Sequence, residues 1–174
     1  MPDIDAINAF RRCARCSIHN TGLCHAASAQ TLAELDSISR TRILQPGEEI
    51  ATEGEPSEHV CNIVSGTVRL SKALDDGRLQ IVGLLFPSDF VGCPFHEVCG
   101  YTAEAASEVE LCCIERRAFE RLLQADAGLE HAYLLRVMDD LDAARDWMVV
   151  LGCKSAMERV ATYLSLIVSR AQMQ

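Results

Sequence analysis

The sequence predicts an α+β protein: an antiparallel β-sandwich, roll or barrel in the middle of the chain, preceded by a cysteine-rich arm and followed by helices. Three observations carry that reading. Between 41 and 114, short runs of Val, Ile, Leu and Thr are broken by turn residues at near-regular spacing, the texture of an all-β sandwich, roll or barrel. Beyond Arg116 the apolar residues recur at spacings of three and four, which is the helical period. The first 27 residues follow neither period but hold Cys13, Cys16 and Cys24 at close spacing.

In chain order, residues 1–27 form an arm expected to be ordered mainly by whatever its thiols bind. Thr31 and Glu34 fit a capping box that opens a short helix ending near Ile38. The roll's turns fall at Pro46-Gly47, Glu53-Gly54-Glu55-Pro56, Ser65-Gly66, Asp75-Asp76-Gly77 and Phe86-Pro87-Ser88-Asp89. Asp76-Gly77 sits between a strand holding Val68 and Leu70 and one holding Ile81, Gly83 and Leu85, a strong hairpin signal. A short helix is predicted over about 116–124, and a long one over about 128–152, stopped by Gly152. Ser155 and Glu158 form a second capping box, opening a last helix that runs to about Arg170.

Composition narrows the class. A chain of 174 residues, 49% hydrophobic, suffices for one ordinary core, and no window reaches the roughly 18 consecutive apolar residues of a membrane span. Its start, MPDIDAINAFRRC, has no apolar stretch behind a basic one, so the cytoplasm is the expected compartment and no membrane partner is expected. An odd count of nine cysteines in such a reducing compartment points to metal ligands, reactive thiols and small buried hydrophobes rather than disulfides. The net charge of −9 makes the chain by itself a poor nucleic-acid binder, since affinity for phosphates comes from cationic side chains. Arg11-Arg12 and Arg116-Arg117 are too short to form a basic stripe and read as solvated charge. No nucleophile, base and orienter set suggests an enzyme.

The segment LQPGEEIATEGEPSEHVCNIVSGTVRLSKALDDGRLQIVGLLFPSDFVG, residues 44–92, resembles the cyclic-nucleotide-binding-type β-roll of the Crp/Fnr transcription regulators, with DGRLQIVGLLFPSDFVG closest to the Fnr branch. The resemblance continues through CIERRAFERLL to KSAMERVATYL. It implies a sensor roll (28–127), then a dimerisation helix and the helix leading out of it (128–174), then a helix-turn-helix that reads DNA. That last element has no counterpart before Gln174, so DNA and RNA polymerase are expected partners only of a full-length relative. The cyclic-nucleotide members hold their phosphate near an arginine. The corresponding segment here, DFVGCPFHEVCGYTAEAAS, has none, which counts against a nucleotide receptor.

The arm spacing C-x2-C-x7-C is similar to that of cluster-bearing Fnr-like oxygen sensors, which implies a 4Fe-4S cluster on Cys13, Cys16, Cys24 and a fourth thiolate from the roll. Both Cys112 and Cys113 stand at that place. Side chains alternate along a strand, so Val109, Leu111 and Cys113 share one face, read as the core, and Cys112 shares the other with Glu110. Cys112 is therefore the expected fourth ligand and Cys113 the alternative. A zinc site drawing on His19 or His25, and a metal-free thiol switch, remain open. Cys61, Cys93, Cys99 and Cys153 lack ligand spacing, although Cys93 and Cys99 could substitute in a damaged cluster.

In the long helix, Leu134, Val137, Leu141, Ala144, Met148 and Leu151 form an a/d seam for a homodimer; the alternative is that they cover the sheet. Asp140 at g and Arg145 at the following e are expected to pair between chains. Ala144 buries little area, so the seam should be weak, as suits a switch in which oxygen removes the cluster's support and the dimer loosens.

Overall fold

The computed structural model describes residues 12–171; the rest of the expected arm, Arg11 included, lies outside them. Two 3-10 turns, Cys13–Arg15 and Leu23–Ala26, lead into helix α1 (Ala29–Ile38). The strands are β1 (Arg40–Leu44), β2 (Glu49–Ala51), β3 (His59–Ser65), β4 (Val68–Ala73), β5 (Leu79–Leu85), β6 (Phe90–Val91), β7 (Thr102–Ala105) and β8 (Val109–Glu115). Helices α2 (Arg116–Ala125), α3 (Ala127–Cys153) and α4 (Ala156–Ala171) follow. The described chain is thus the α+β roll that the sequence predicts.

The strands form two antiparallel sheets, ordered β1-β8-β3-β6 and β2-β7-β4-β5. The Asp76-Gly77 hairpin forms between β4 and β5 as expected, with Gly77 at φ 84 and its N–H donating to the Leu74 carbonyl at 2.8 Å. At the β3–β4 turn Gly66 has φ 88, and a Cβ there would run into the Glu108 carbonyl oxygen, so only glycine fits.

The single core expected from composition is in fact two. Leu44, Cys61, Ile63, Val68, Val91, Ala103, Ala105, Val109, Leu111 and Cys113 fill the space between the sheets. A second cluster covers the outer face of the β1-β8-β3-β6 sheet, where Val60, Phe90 and Ile114 meet Leu23 of the arm, Leu35 of α1, Phe119, Leu122 and Leu123 of α2, and Leu129 of α3. Phe90 and Phe119 stack at 5.2 Å between centroids, and Tyr133 of α3 meets both edge-on at 5.7 and 6.0 Å. Because strand side chains alternate, β3 and β8 serve both cores at once.

Several boundaries differ from expectation. Helix α1 starts earlier, capped by Ser28, whose Oγ accepts the Thr31 N–H at 3.2 Å; Thr31 is buried inside the first turn. Gly152 does not stop α3, which runs through Cys153; its end is held by Arg159, which donates to the carbonyls of Leu151 (2.6 Å) and Lys154 (2.9 Å). The capping box of α4 forms as expected, the Ser155 N–H donating to Glu158 Oε2 at 2.8 Å. Arg116 is no solvated charge: it donates to the Ser57 carbonyl and to Glu120, both at 2.7 Å, tying α2 to the loop before β3. Compact packing divides the chain into two units between Leu135 and Arg136.

Candidate metal centre

Strand β8 sets the site. Val109, Leu111 and Cys113 point between the sheets, whereas Cys112 projects from the outer face between Thr41 of β1 and Asn62 of β3. That face is not bare surface, because Ile114, two residues on, lies in the helix-covered core. Cys113, the alternative fourth ligand, is buried opposite Cys61 of β3, and the two are joined by a disulfide with their Cα atoms 4.1 Å apart. This departs from the expectation of free thiols throughout. Two cysteines in cross-strand register on one face are brought together by the ladder itself.

The arm is held by more than thiol ligands, contrary to expectation. Ile18 and Leu23 are buried, and the latter belongs to the outer core. The Cys13 N–H donates to the buried Asp36 carboxylate of α1 at 3.0 Å, and the Arg12 guanidinium donates to the Asp36 and Ser39 carbonyls. Thr21 and Ser88 hydroxyls meet at 2.5 Å, fixing the loop between Cys16 and Cys24 to the β5–β6 turn. His25 bonds the Gly22 carbonyl through Nδ1 at 2.8 Å, while Nδ1 of His19 is buried without a partner.

Cys13, Cys16, Cys24 and Cys112 are all free thiols. Burial pushes Cys13 up to about 12, reinforced by its bond to Asp36 and by the Cys24 and Cys112 charges. Burial likewise raises Cys24 to about 12, with Cys112 and Cys16 adding to it. Cys112 is raised by burial and by Cys16, against the opposing effects of Ser39 and Arg12. Cys13 and Cys24 thus each feel two of the other thiols, and Cys112 feels Cys16. Among the described residues no three His, Cys, Asp or Glu side chains converge on one single-ion position. As a donor set, four free thiols, with the Asp36 carboxylate hydrogen-bonded beside Cys13, suit the ligation of an iron–sulfur cluster.

Beside the arm stands a residue that sequence reasoning missed. Asp126 caps α3, its Oδ1 accepting the N–H groups of Gly128 (3.0 Å) and Leu129 (3.1 Å), while Oδ2 accepts the Ser28 N–H at the end of the arm (2.8 Å). Bonds from Thr31, Ser28 and Leu129 hold its carboxyl well below the usual carboxylate range. Gly128 lies so close to the arm that a Cβ there would be 2.7 Å from the Ala26 carbonyl oxygen. The signal was present as an Asp directly before a helix, but its second partner is 98 residues away. Asn62, buried across from Cys112 with Oδ1 unpartnered, was also missed.

Along α3, Leu134, Val137, Leu141 and Met148 are exposed, at 56%, 40%, 43% and 71%, and so is Ala144; Leu151 is half-buried. Asp140 engages Arg136 at 2.8 Å and Arg145 engages Asp142 at 2.7 Å, both within the helix. A separate cleft of about 350 Å³, lined in part by Arg42, Glu55, Glu58 and His59, opens beside β3. No helix among the described residues is long and apolar enough to cross a membrane.

Known proteins share this fold. The cyclic nucleotide-binding domain family matches residues 41–126. The transcriptional activator protein FnrL of Cereibacter sphaeroides is 36% identical over 92% of this chain and 65% of its own length. A probable transcriptional activator of Rhizobium leguminosarum bv. viciae is 38% identical over 93% of this chain and 68% of its own. The structure of FixK2 from Bradyrhizobium japonicum superposes with a TM-score of 0.71 at 33% identity, covering 76% of this chain and 67% of that one. The chain thus spans about two thirds of the length of these relatives. With the roll, the helices and the sequence agreeing over that span, the chain belongs to the Crp/Fnr family of transcription regulators.

Proposed function

We propose that this chain is the oxygen- or redox-sensing module of a Crp/Fnr-type transcription regulator, with Cys13, Cys16, Cys24 and Cys112 holding a 4Fe-4S cluster. One observation carries the reading: four free thiols, three from the arm and one from β8, act on one another electrostatically on the helix-covered side of the sheet. When bound, the cluster supplies an oxygen-labile cross-link between arm and strand.

The chain's own residues carry the response onward. Leu23 of the arm and Leu129 of α3 share the outer core, and Asp126 bonds both the arm's end and the first turn of α3. An arm held at Cys112 keeps that joint closed, and an arm set free loosens the start of α3. With the joint closed, the apolar stripe of α3 serves as the homodimer seam, with Asp140 and Arg145 exchanging their intrahelical partners for the second copy. In a full-length, cytoplasmic relative, dimerisation governs contact with DNA and RNA polymerase.

The test is anaerobic purification with metal and sulfide analysis. We expect a brown protein with about four iron and four sulfide per chain that bleaches in air. A colourless protein with one zinc per chain would overturn the cluster.

A further inference from the structure

Cys93 and Cys99 lie outside the four-thiol site and do not form part of it. The groups acting on Cys93 are Cys99, Tyr101, His96 and the Gly100 N–H, all in the segment joining β6 to β7. The two sulfurs stand 3.1 Å apart. They differ in access, since Cys93 is half-exposed whereas Cys99 is 2% exposed.

The backbone around the pair is fixed. The Cys99 N–H donates to the Glu55 carbonyl and its own carbonyl accepts from Gly54, both at 2.9 Å. The intervening residues are pinned as well. Phe95 takes the left-handed φ of 63 and donates its N–H to Glu120 at 2.7 Å, and Ser57 donates to the Glu97 carbonyl at 3.1 Å. Tyr101 is anchored by its hydroxyl, which accepts the Gly92 N–H at 3.2 Å and donates to the Gly92 carbonyl at 3.3 Å.

We infer that Cys93 and Cys99 form a second, cluster-independent reactive site, in which Cys93 is the nucleophile toward a hydroperoxide and Cys99 the resolving thiol. The Cys93 sulfur attacks one peroxide oxygen, the O–O bond breaks, and the released alkoxide or hydroxide takes a proton from water; Cys93 becomes a sulfenic acid. Cys99 then attacks that sulfur, its thiol proton leaves with the hydroxyl as water, and a disulfide remains. Two thiols have lost two electrons and the hydroperoxide has gained them, giving an alcohol or water and one further water. Closing a disulfide of about 2.05 Å from the observed separation takes about 1 Å of sulfur movement.

The electrostatics agree with those roles. The two sulfurs share a hydrogen bond; with the proton on Cys99 it lowers Cys93 to about 6 against the opposing effect of burial, and the Gly100 N–H, Tyr101 and His96 add to the lowering. The same bond, with burial, raises Cys99, which keeps the proton that the second step requires. Lower basicity costs nucleophilicity, so the advantage depends on pH. At pH 6 a thiol of pKa about 6 is half ionised, against roughly 0.3% for an ordinary one near 8.5. That gain of about 160-fold is offset roughly twentyfold by weaker nucleophilicity, leaving about tenfold.

The test treats the full chain with hydrogen peroxide, alkylates the remaining thiols, and cleaves after Glu97, which separates the two cysteines. We expect Cys93- and Cys99-containing peptides joined by a disulfide, and in Cys99→Ser a dimedone-trapped sulfenic acid on Cys93. In Cys93→Ser, whose substitution is at the half-exposed position, Cys99 should stay unoxidised. A wild-type chain whose Cys93 is alkylated at pH 6 no faster than a single-cysteine peptide would overturn the proposal. So would peroxide-treated protein in which these two peptides are never joined.

Discussion

At the scale of single residues, Asp126 carries the most. Its carboxylate takes three backbone N–H groups from two segments, so Asp126→Ala removes a helix cap and leaves the Ser28 N–H without its partner. We expect a loss of about 1–2 kcal/mol in denaturant unfolding. The pH dependence has a definite sign. A carboxyl held below its unfolded value of about 3.9 contributes stability that is complete above that pH and is lost as pH falls through the folded value. Acid unfolding of Asp126→Ala should therefore be shallower below pH 4 than that of the parent. The two adjacent cysteines of β8 separate by substitution too. Cys112→Ser should abolish iron and sulfide incorporation, whereas Cys113→Ser should retain it at reduced stability. Which of the two faces between the sheets was legible from sequence, because strand parity depends only on neighbours. Asp126 was not, because its meaning comes from Ser28 at the other end of the roll.

At the scale of elements, strands and hairpins were read well wherever turn chemistry was local, as at Asp76-Gly77. Helix starts were read less well. Thr31 and Ser28 both offer a hydroxyl, and the Asp126 contact that favours Ser28 is tertiary. The second core was also hidden, since β3 is buried on both faces over 60–63 and its pattern there does not alternate. Helix α2 depends on that core. Phe119, 1% exposed and in contact with two other rings, should cost about 3–5 kcal/mol when changed to Ala, measured by thermal or denaturant unfolding. Helix α3 gives the opposite test. Ala144→Leu adds apolar area to the proposed seam and should tighten self-association about tenfold or more in sedimentation equilibrium. An unchanged association constant would show that the heptad register is wrong.

At the scale of the whole molecule, the proposed switch joins a site on the roll to a seam on α3. Anaerobic sedimentation before and after air exposure should show the dimer giving way to monomer, and the Asp126→Ala chain should respond less. Family and fold were legible because Gly, Pro and Asp punctuate the roll at positions set by backbone geometry. The thiol pairings of Cys61 with Cys113 and Cys93 with Cys99 were not, since each depends on register between segments that the sequence does not order.

Strand β8 also acts as a partition. Cys112 and Cys113 are consecutive, yet one belongs to the helix-covered side of the sheet and the other to the closed interior. Sulfur chemistry on the outer side thus has no path through the strand to the Cys61–Cys113 bond. A thiol reagent applied to the native chain would therefore count the accessible free thiols and leave this pair uncounted, and a reductant would reach the pair from the cleft that Cys61 lines rather than from the helix-covered side.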